Sequence, residues 1–208
     1  MNSELNKIAK WFQHNQLSLN VGKTQFMIFS KRKVNVKEKV QINGTLLEQV
    51  SQASFLGIIV DDKLSWKAQI NQVNKKVSKS IGILYKVRHV FSKSLKLKIY
   101  NTFVLPHLTY CNIVWASAYP TYLKPIEVTQ KRAIKITLGV PIDTSTEMIF
   151  ERSRLLPIAT IHNIQTSIFM FKYHVNVLPK GFKNMFITNR DIHSHNTRST
   201  DLYHIPKC

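Results

Sequence analysis

Acidic residues are scarce in this chain. Eleven Asp and Glu stand against 30 Lys and Arg over 208 residues, a formal net charge of +19. Such an imbalance rules out an electrically neutral surface and creates a field that draws polyanions. Nucleic acid is the default partner of so basic a chain. An anionic membrane surface would ask for a basic amphipathic helix at a terminus or beside a membrane span, whereas here the basic residues are spread along the chain. Long apolar runs are missing too. No stretch of about eighteen apolar residues occurs, so no transmembrane helix is expected. Cysteine is limited to Cys111, in an apolar stretch, and Cys208, the last residue. Two so placed make no disulfide framework and point to a reducing compartment, nucleus or cytoplasm. The opening MNSELNKIAKWF is polar and amphipathic, unlike a signal peptide. With only 6 Gly and 7 Pro, long flexible linkers are not expected, and 44% hydrophobic residues fit a chain with a real core.

What is present reads in two styles. Residues 2–15 have Leu5, Ile8 and Phe12 at helical spacing, with Asn2 or Ser3 placed to cap the N-terminus. TQFMIFS (24–30) reads as a buried strand, KRKVNVKEK (31–39) as a charged connection, and SFLGIIV (54–60) as another strand with Gly57 at a bulge or a close backbone approach. Asn43-Gly44 between VQI and TLLEQV is a hairpin-turn signal. From Ser65 the period changes. Ile70, Val73, Val77, Ile81 and Leu84 step by 3, 4, 4 and 3 and share one helical face, with Lys75, Lys79 and Lys86 opposite. Helical patterning runs to about residue 175, punctuated by Pro106, Pro120, Pro125, Pro141 and Pro157, each expected to start, end or kink a helix. From Pro179 the chain is polar and irregular.

The charge gathers in the helical middle. Residues 1–60 carry net +5, 61–139 net +11 and 140–208 net +3. A solvated helix ordinarily mixes Glu with Lys for pairwise support. Between Lys63 and Lys124 there is no acidic residue at all. A uniformly positive face repels itself and is expected where phosphates supply the counter-charge.

Three other patterns have bland explanations. Gly22-Lys23-Thr24 lacks the earlier glycine of a P-loop, since Leu17 stands there, and a strand follows where a helix should. Asp61-Asp62 resembles a polymerase Asp-Asp box, but two-metal chemistry needs carboxylates from separate converging segments. Upstream acids are limited to Glu4, Glu38 and Glu48. A strand end running into a helix, where the dipole favours negative charge, accounts for the pair. His193, His195, His204 and Cys208 follow none of the common zinc spacings.

LSLNVGKTQFMIFSK (17–31) resembles the segment after the catalytic aspartates of LINE-type, non-LTR retrotransposon reverse transcriptases, often called motif D. ASFLGIIVDDKLSW (53–66) resembles the following primer-grip segment, motif E. The runs 76–91 and 105–139 resemble the thumb side of the same enzymes, and DIHSHNTRS (191–199) a segment near their C-terminus. The resemblance implies an α+β fold: a small palm remnant of helix and antiparallel strands over 1–62, a mainly helical thumb-like nucleic-acid-binding domain over 63–178, and a polar tail over 179–208. It implies that Lys23 is the motif D lysine, a candidate proton donor to pyrophosphate in a complete enzyme. It gives Phe55, Leu56 and Gly57 the primer-grip turn, and its Gln-Lys-Arg-Ala-Ile segment contains Lys131, Arg132 and Lys135, whose chemistry suits phosphates. A complete enzyme of this kind copies RNA into DNA with Mg²⁺. The segments that supply its metal-binding aspartates precede motif D and are not among these 208 residues. The isolated chain is therefore expected to be an inactive fragment of an RNA-directed DNA polymerase, a nucleotidyltransferase, that grips an RNA–DNA hybrid or DNA duplex. No metal or cofactor of its own is expected; the partners are nucleic acid and the remaining part of the polymerase. The alternative is a domesticated basic nucleic-acid-binding module.

Overall fold

A computed structural model describes residues 2–32, 39–192, 195 and 198–204. The charged tract 33–38 and two of the four zinc candidates, His193 and Cys208, lie outside the described residues. The chain forms two compact units, Met1–Ile158 and Ala159–Cys208. The fold is α+β, with short strands confined to the first 61 residues and helices thereafter.

The N-terminal helix α1 spans Asn2–His14. Its inner face is set by Ala9, with Leu5 and Phe12 half-buried, while Ile8 is exposed. Asn2 does not cap the helix. Its amide donates to Lys39 O (3.0 Å) and accepts from Gln41 N (3.1 Å), tying α1 to the next hairpin. Among the described residues the strands come in three two-stranded pieces. Strand β1 (Gln25–Phe26) pairs in parallel with β4 (Glu48–Gln49), and β2 (Gln41–Ile42) pairs antiparallel with β3 (Thr45–Leu46). Strand β5 (Gln52–Phe55) pairs antiparallel with β6 (Ile58–Asp61). Asn43 and Gly44 both have positive φ, 50° and 77°, the two-residue turn that the dipeptide favours.

Two expectations need correction. The segment 24–30 is a strand only at Gln25–Phe26, and Phe29 is exposed. Its ladder among the described residues is the two-residue pairing with β4; beyond it the segment is tied by the Ser30 N–H, which donates to Asp62 O (3.0 Å). The segment 54–60 is not one strand but the head of a hairpin. Phe55 pairs with Ile58, and Leu56-Gly57 turns with φ of 49° and 81°. The apolar run concealed the turn because Leu rarely occupies a left-handed position, at a cost of about 1–2 kcal/mol. Gly57 is thus a turn residue rather than a bulge.

The helical part begins at α2 (Lys67–Lys86). Ile70, Val73, Val77, Ile81 and Leu84 are all buried, as their spacing requires. They pack chiefly on α6 (Pro120–Leu138) and on α3 (Lys93–Phe103), α4 (Leu105–Thr109) and strand β6. Tyr100, Leu108, Trp115, Ile126, Ile134 and Ile149 complete the core. At about 1.5–3 kcal/mol for each fully buried large aliphatic, this cluster is the main source of cohesion. Short α5 (Asn112–Trp115) and α7 (Thr146–Ser153) close unit 1. Four prolines fall at helix ends as expected: Pro106 and Pro120 open helices, Pro141 follows the glycine cap of α6 (Pro120–Leu138), and Pro157 precedes α8 (Ile158–His174); Pro125 instead lies inside α6.

In unit 2 the C-terminal half of α8 carries Tyr173, whose ring meets Phe186 edge-on at 4.9 Å and Tyr203 at 5.7 Å. The Tyr173 hydroxyl donates to Phe186 O and accepts from Phe186 N, both at 3.0 Å. The described part of the tail has more regular structure than its composition suggests. Thr188 bridges Tyr203, and a short α9 covers Asn189–Ile192.

Candidate nucleic-acid interface

Helix α2 has five lysines and no acidic residue. At 100° per residue, Lys75, Lys79 and Lys86 lie within about 40° of each other, diametrically opposite the buried stripe. All three are exposed. The ion pairs among the described residues are Lys7–Glu4, Lys124–Glu127 and Arg190–Asp201, so none of these lysines is neutralised by a carboxylate. The stripe is a bare row of positive charge.

The Gln-Lys-Arg-Ala-Ile segment divides by helix geometry. Arg132 is exposed and lines a groove between α6 and α2 with Val128, Thr129, Ser78, Gly82 and Tyr85. Lys131 and Lys135 are half-buried and face another side of α6, and the Lys135 ammonium donates to Ile142 O. Lys131 and Arg132 make no ion pair among the described residues. Gln130, which sequence reasoning left without a role, is 1% exposed and uses its whole amide. Its Nε2 donates to Leu156 O (2.9 Å) and to the Tyr100 hydroxyl (3.2 Å), and its Oε1 accepts from Ile158 N (3.0 Å). Burial pushes the Tyr100 phenol up to about 12, while the Gln130 hydrogen bond works the other way.

The hairpin tip presents Phe55 and Leu56 to solvent, 67% and 75% exposed. The hairpin's second strand is fastened to α2 by Gln69, whose Oε1 accepts from Ile59 N (2.9 Å). Gln69 lies roughly a quarter turn or more round the helix from the lysine stripe, so tip and stripe belong to neighbouring faces. Lys76 lies a heptad from Gln69, only about 20° away on the helix. The nearby α4 carries His107, whose imidazole is held below its ordinary 6.5 by burial and then by the Lys76 charge. Helical period already sets Lys76 about 100° from Lys75; that its side of α2 is the one facing the hairpin and His107 is a tertiary fact.

Asp61 is spent on structure. Its Oδ1 accepts from Lys63 N (3.2 Å) and Ser65 N (3.0 Å), and its Oδ2 from Trp66 N (2.9 Å). The loop that leads into α2 is wound around this carboxylate, with Leu64 and Trp66 both at positive φ. Lys23 is exposed at the end of a 3-10 turn, where its backbone N–H donates to Asn20 Oδ1 (3.1 Å). Among the described residues no three His, Cys, Asp or Glu side chains gather where they could hold a metal ion. No helix among them is long and apolar enough to cross a membrane.

Fold and surface together define a strongly basic α+β chain with a row of unpaired lysines on one helix. Its relatives are the RNA-directed DNA polymerases of non-LTR mobile elements. It is 29% identical over 140 residues to the RNA-directed DNA polymerase from mobile element jockey of Drosophila funebris, a match covering 66% of this chain and 15% of that protein. The corresponding jockey polymerase of Drosophila melanogaster is 24% identical over 207 residues, 96% of this chain and 22% of the relative. The probable RNA-directed DNA polymerase from transposon X-element of Drosophila melanogaster is 21% identical over 136 residues, 64% of this chain and 15% of the relative. The chain thus spans only a minor part of each relative's length. No family model matches the chain, and no solved structure matches it.

Proposed function

We propose that this chain is the duplex-gripping part of a non-LTR retrotransposon reverse transcriptase and carries none of its metal-binding aspartates. The observation that supports this reading is the bare lysine stripe of α2, Lys75, Lys79 and Lys86, with no carboxylate partner. A protein gains nothing in folding from a self-repelling row of charge. A phosphate backbone with the same linear run of negative charge supplies what is missing. Arg132 extends the cationic surface along the neighbouring groove, with Lys131 beside it in sequence. The hairpin tip, Phe55-Leu56-Gly57, adds an apolar contact of the kind that a strand end can meet.

Of the Asp61-Asp62 pair that resembles a polymerase box, Asp61 is engaged by three backbone N–H groups. The chain alone is therefore a binder rather than a nucleotidyltransferase. Lys23 would act as a proton donor only beside a nucleotide site supplied by the rest of the polymerase.

The test is the triple variant Lys75→Ala, Lys79→Ala, Lys86→Ala. Its affinity for an RNA–DNA hybrid should fall about equally for unrelated sequences, because phosphate contacts carry no sequence information. The log–log salt slope should flatten by up to about 0.9 for each phosphate that is no longer neutralised. Full affinity and an unchanged slope would reduce the stripe to a solvated face. Primer extension by the wild-type chain with Mg²⁺ or Mn²⁺ should give no product above background.

A further inference from the structure

The hairpin tip is largely exposed, yet it is tied to a distant part of the chain. Tyr110 Oη donates to Leu56 O at 2.7 Å, joining positions 54 residues apart. A Cβ added at Gly57 would lie 3.9 Å from the Tyr110 ring, so the ring rests against the turn at van der Waals distance. Tyr110 is itself anchored. Its N–H donates to Pro106 O (3.0 Å), and its carbonyl accepts from Trp115 Nε1 (2.9 Å). Trp115 is fully buried and is the largest side chain of the core. One exposed phenol thus connects the outermost point of the hairpin to the centre of the helical domain.

An interaction made only for stability would cover apolar surface. This one leaves Phe55 and Leu56 in solvent and Tyr110 itself 53% exposed. What it does secure is position. The tip is held at a set place relative to α2, to which the second hairpin strand is also fastened through Gln69. A ligand that touches both the apolar tip and the lysine face of α2 requires their spacing to stay constant, because a loose tip would give up its share of the binding energy to conformational entropy.

We infer that Tyr110 is a positioning residue for nucleic-acid binding: its hydrogen bond to Leu56 sets the hairpin tip at the distance from α2 at which one strand end and its backbone are engaged together. This rests on the duplex-gripping reading above.

The test compares the full chain with Tyr110→Phe, which removes only the hydroxyl. Two probes of equal length are used, an RNA–DNA hybrid with a recessed 3′ end and a continuous hybrid. The wild-type protein should prefer the recessed end. Tyr110→Phe should lose about 3- to 10-fold in that preference, the range of one hydrogen bond, while its salt slope stays unchanged because the lysines still meet the phosphates. A double variant with Phe55→Ala should lose no more than Phe55→Ala alone, since both act through the same tip. If Tyr110→Phe fails to fold, Gly57→Ala serves. It strains the turn at φ 81° while keeping the hydroxyl, with the new Cβ 3.9 Å from it, and should produce the same loss. Wild-type protein that does not bind the hybrid sinks the functional reading itself. Wild-type protein that binds but ignores the strand end, or a Tyr110→Phe protein with full preference, overturns the role of Tyr110 alone.

Discussion

Gln130→Leu offers the cleanest separation of folding from binding in this chain. The substitution keeps most of the side-chain volume in a position that is 1% exposed and removes all three hydrogen bonds of the amide. Leu156 C=O and Ile158 N–H are then left without their partner, and the Tyr100 phenol without a donor. A buried group left unpaired costs about 1–3 kcal/mol. The phenol can rotate and the leucine gains some apolar burial, so the net loss should be about 2–4 kcal/mol. For a protein of this size that is a fall in Tm of roughly 5–15 °C, at about 2–4 °C per kcal/mol. Trp11, Trp66 and Trp115 all lie in the unit Met1–Ile158, so tryptophan fluorescence in urea reports on the affected unit. The Tyr100 titration supplies a second readout. Its phenol stands at about 12, and loss of the amide bond should push it further up. With a raised phenol, the associated stability is full below pH 10 and drains away as pH rises through the folded value. Two positions along, Arg132→Ala should leave stability within about 0.5 kcal/mol, as exposed substitutions usually do, and weaken hybrid binding. A Gln130→Leu protein within about 0.5 kcal/mol of wild type would refute the argument that this amide ties Tyr100 to residues 156–158.

Val77→Asp should unfold unit 1, because it buries an unpaired charge at a fully buried position; circular dichroism would show the helix loss, and a cooperative native melt would count against the packing described. Asp61→Ala should cost about 2–3 kcal/mol by leaving three loop N–H groups without their acceptor, read as a urea midpoint shift. Lys76→Gln should raise the His107 pKa part of the way back toward 6.5, since burial, the larger cause, remains; NMR titration of the imidazole checks it. Because folded His107 releases its proton more readily than the unfolded chain, its contribution to stability is full above pH 6.5 and is lost as pH falls through the folded value. Hydrogen exchange should find residues 24–30 less protected than α2 and α6, given the two-residue ladder that holds them; equal protection would contradict it.

The buried stripe Ile70–Leu84 and the bare lysines opposite were legible because helical period converts sequence spacing directly into facing. The Asn43-Gly44 turn was legible because its chemistry is local. The Leu56-Gly57 turn was implied only by the resemblance to a primer-grip segment and not by local pattern, since an apolar run gives no local signal when the turn is held by Tyr110 from 54 residues away. Asp61 was read correctly as a helix-approach residue, though not its grip on three N–H groups, which depends on how the loop winds back over the carboxylate.

Spacing, composition and charge are properties of the chain in one dimension, and they were enough for the helix faces and the strongly basic character; the polymerase resemblance rested on the likeness of particular segments. Which lysine lies on the hairpin's side of α2, Lys76 rather than Lys75, depends on what packs beside that turn. That Gln130 is spent inside while Arg132 beside it opens onto a groove follows from how α3 and residues 156–158 close over α6. These are outcomes of packing between residues far apart in sequence, and no local pattern encodes them.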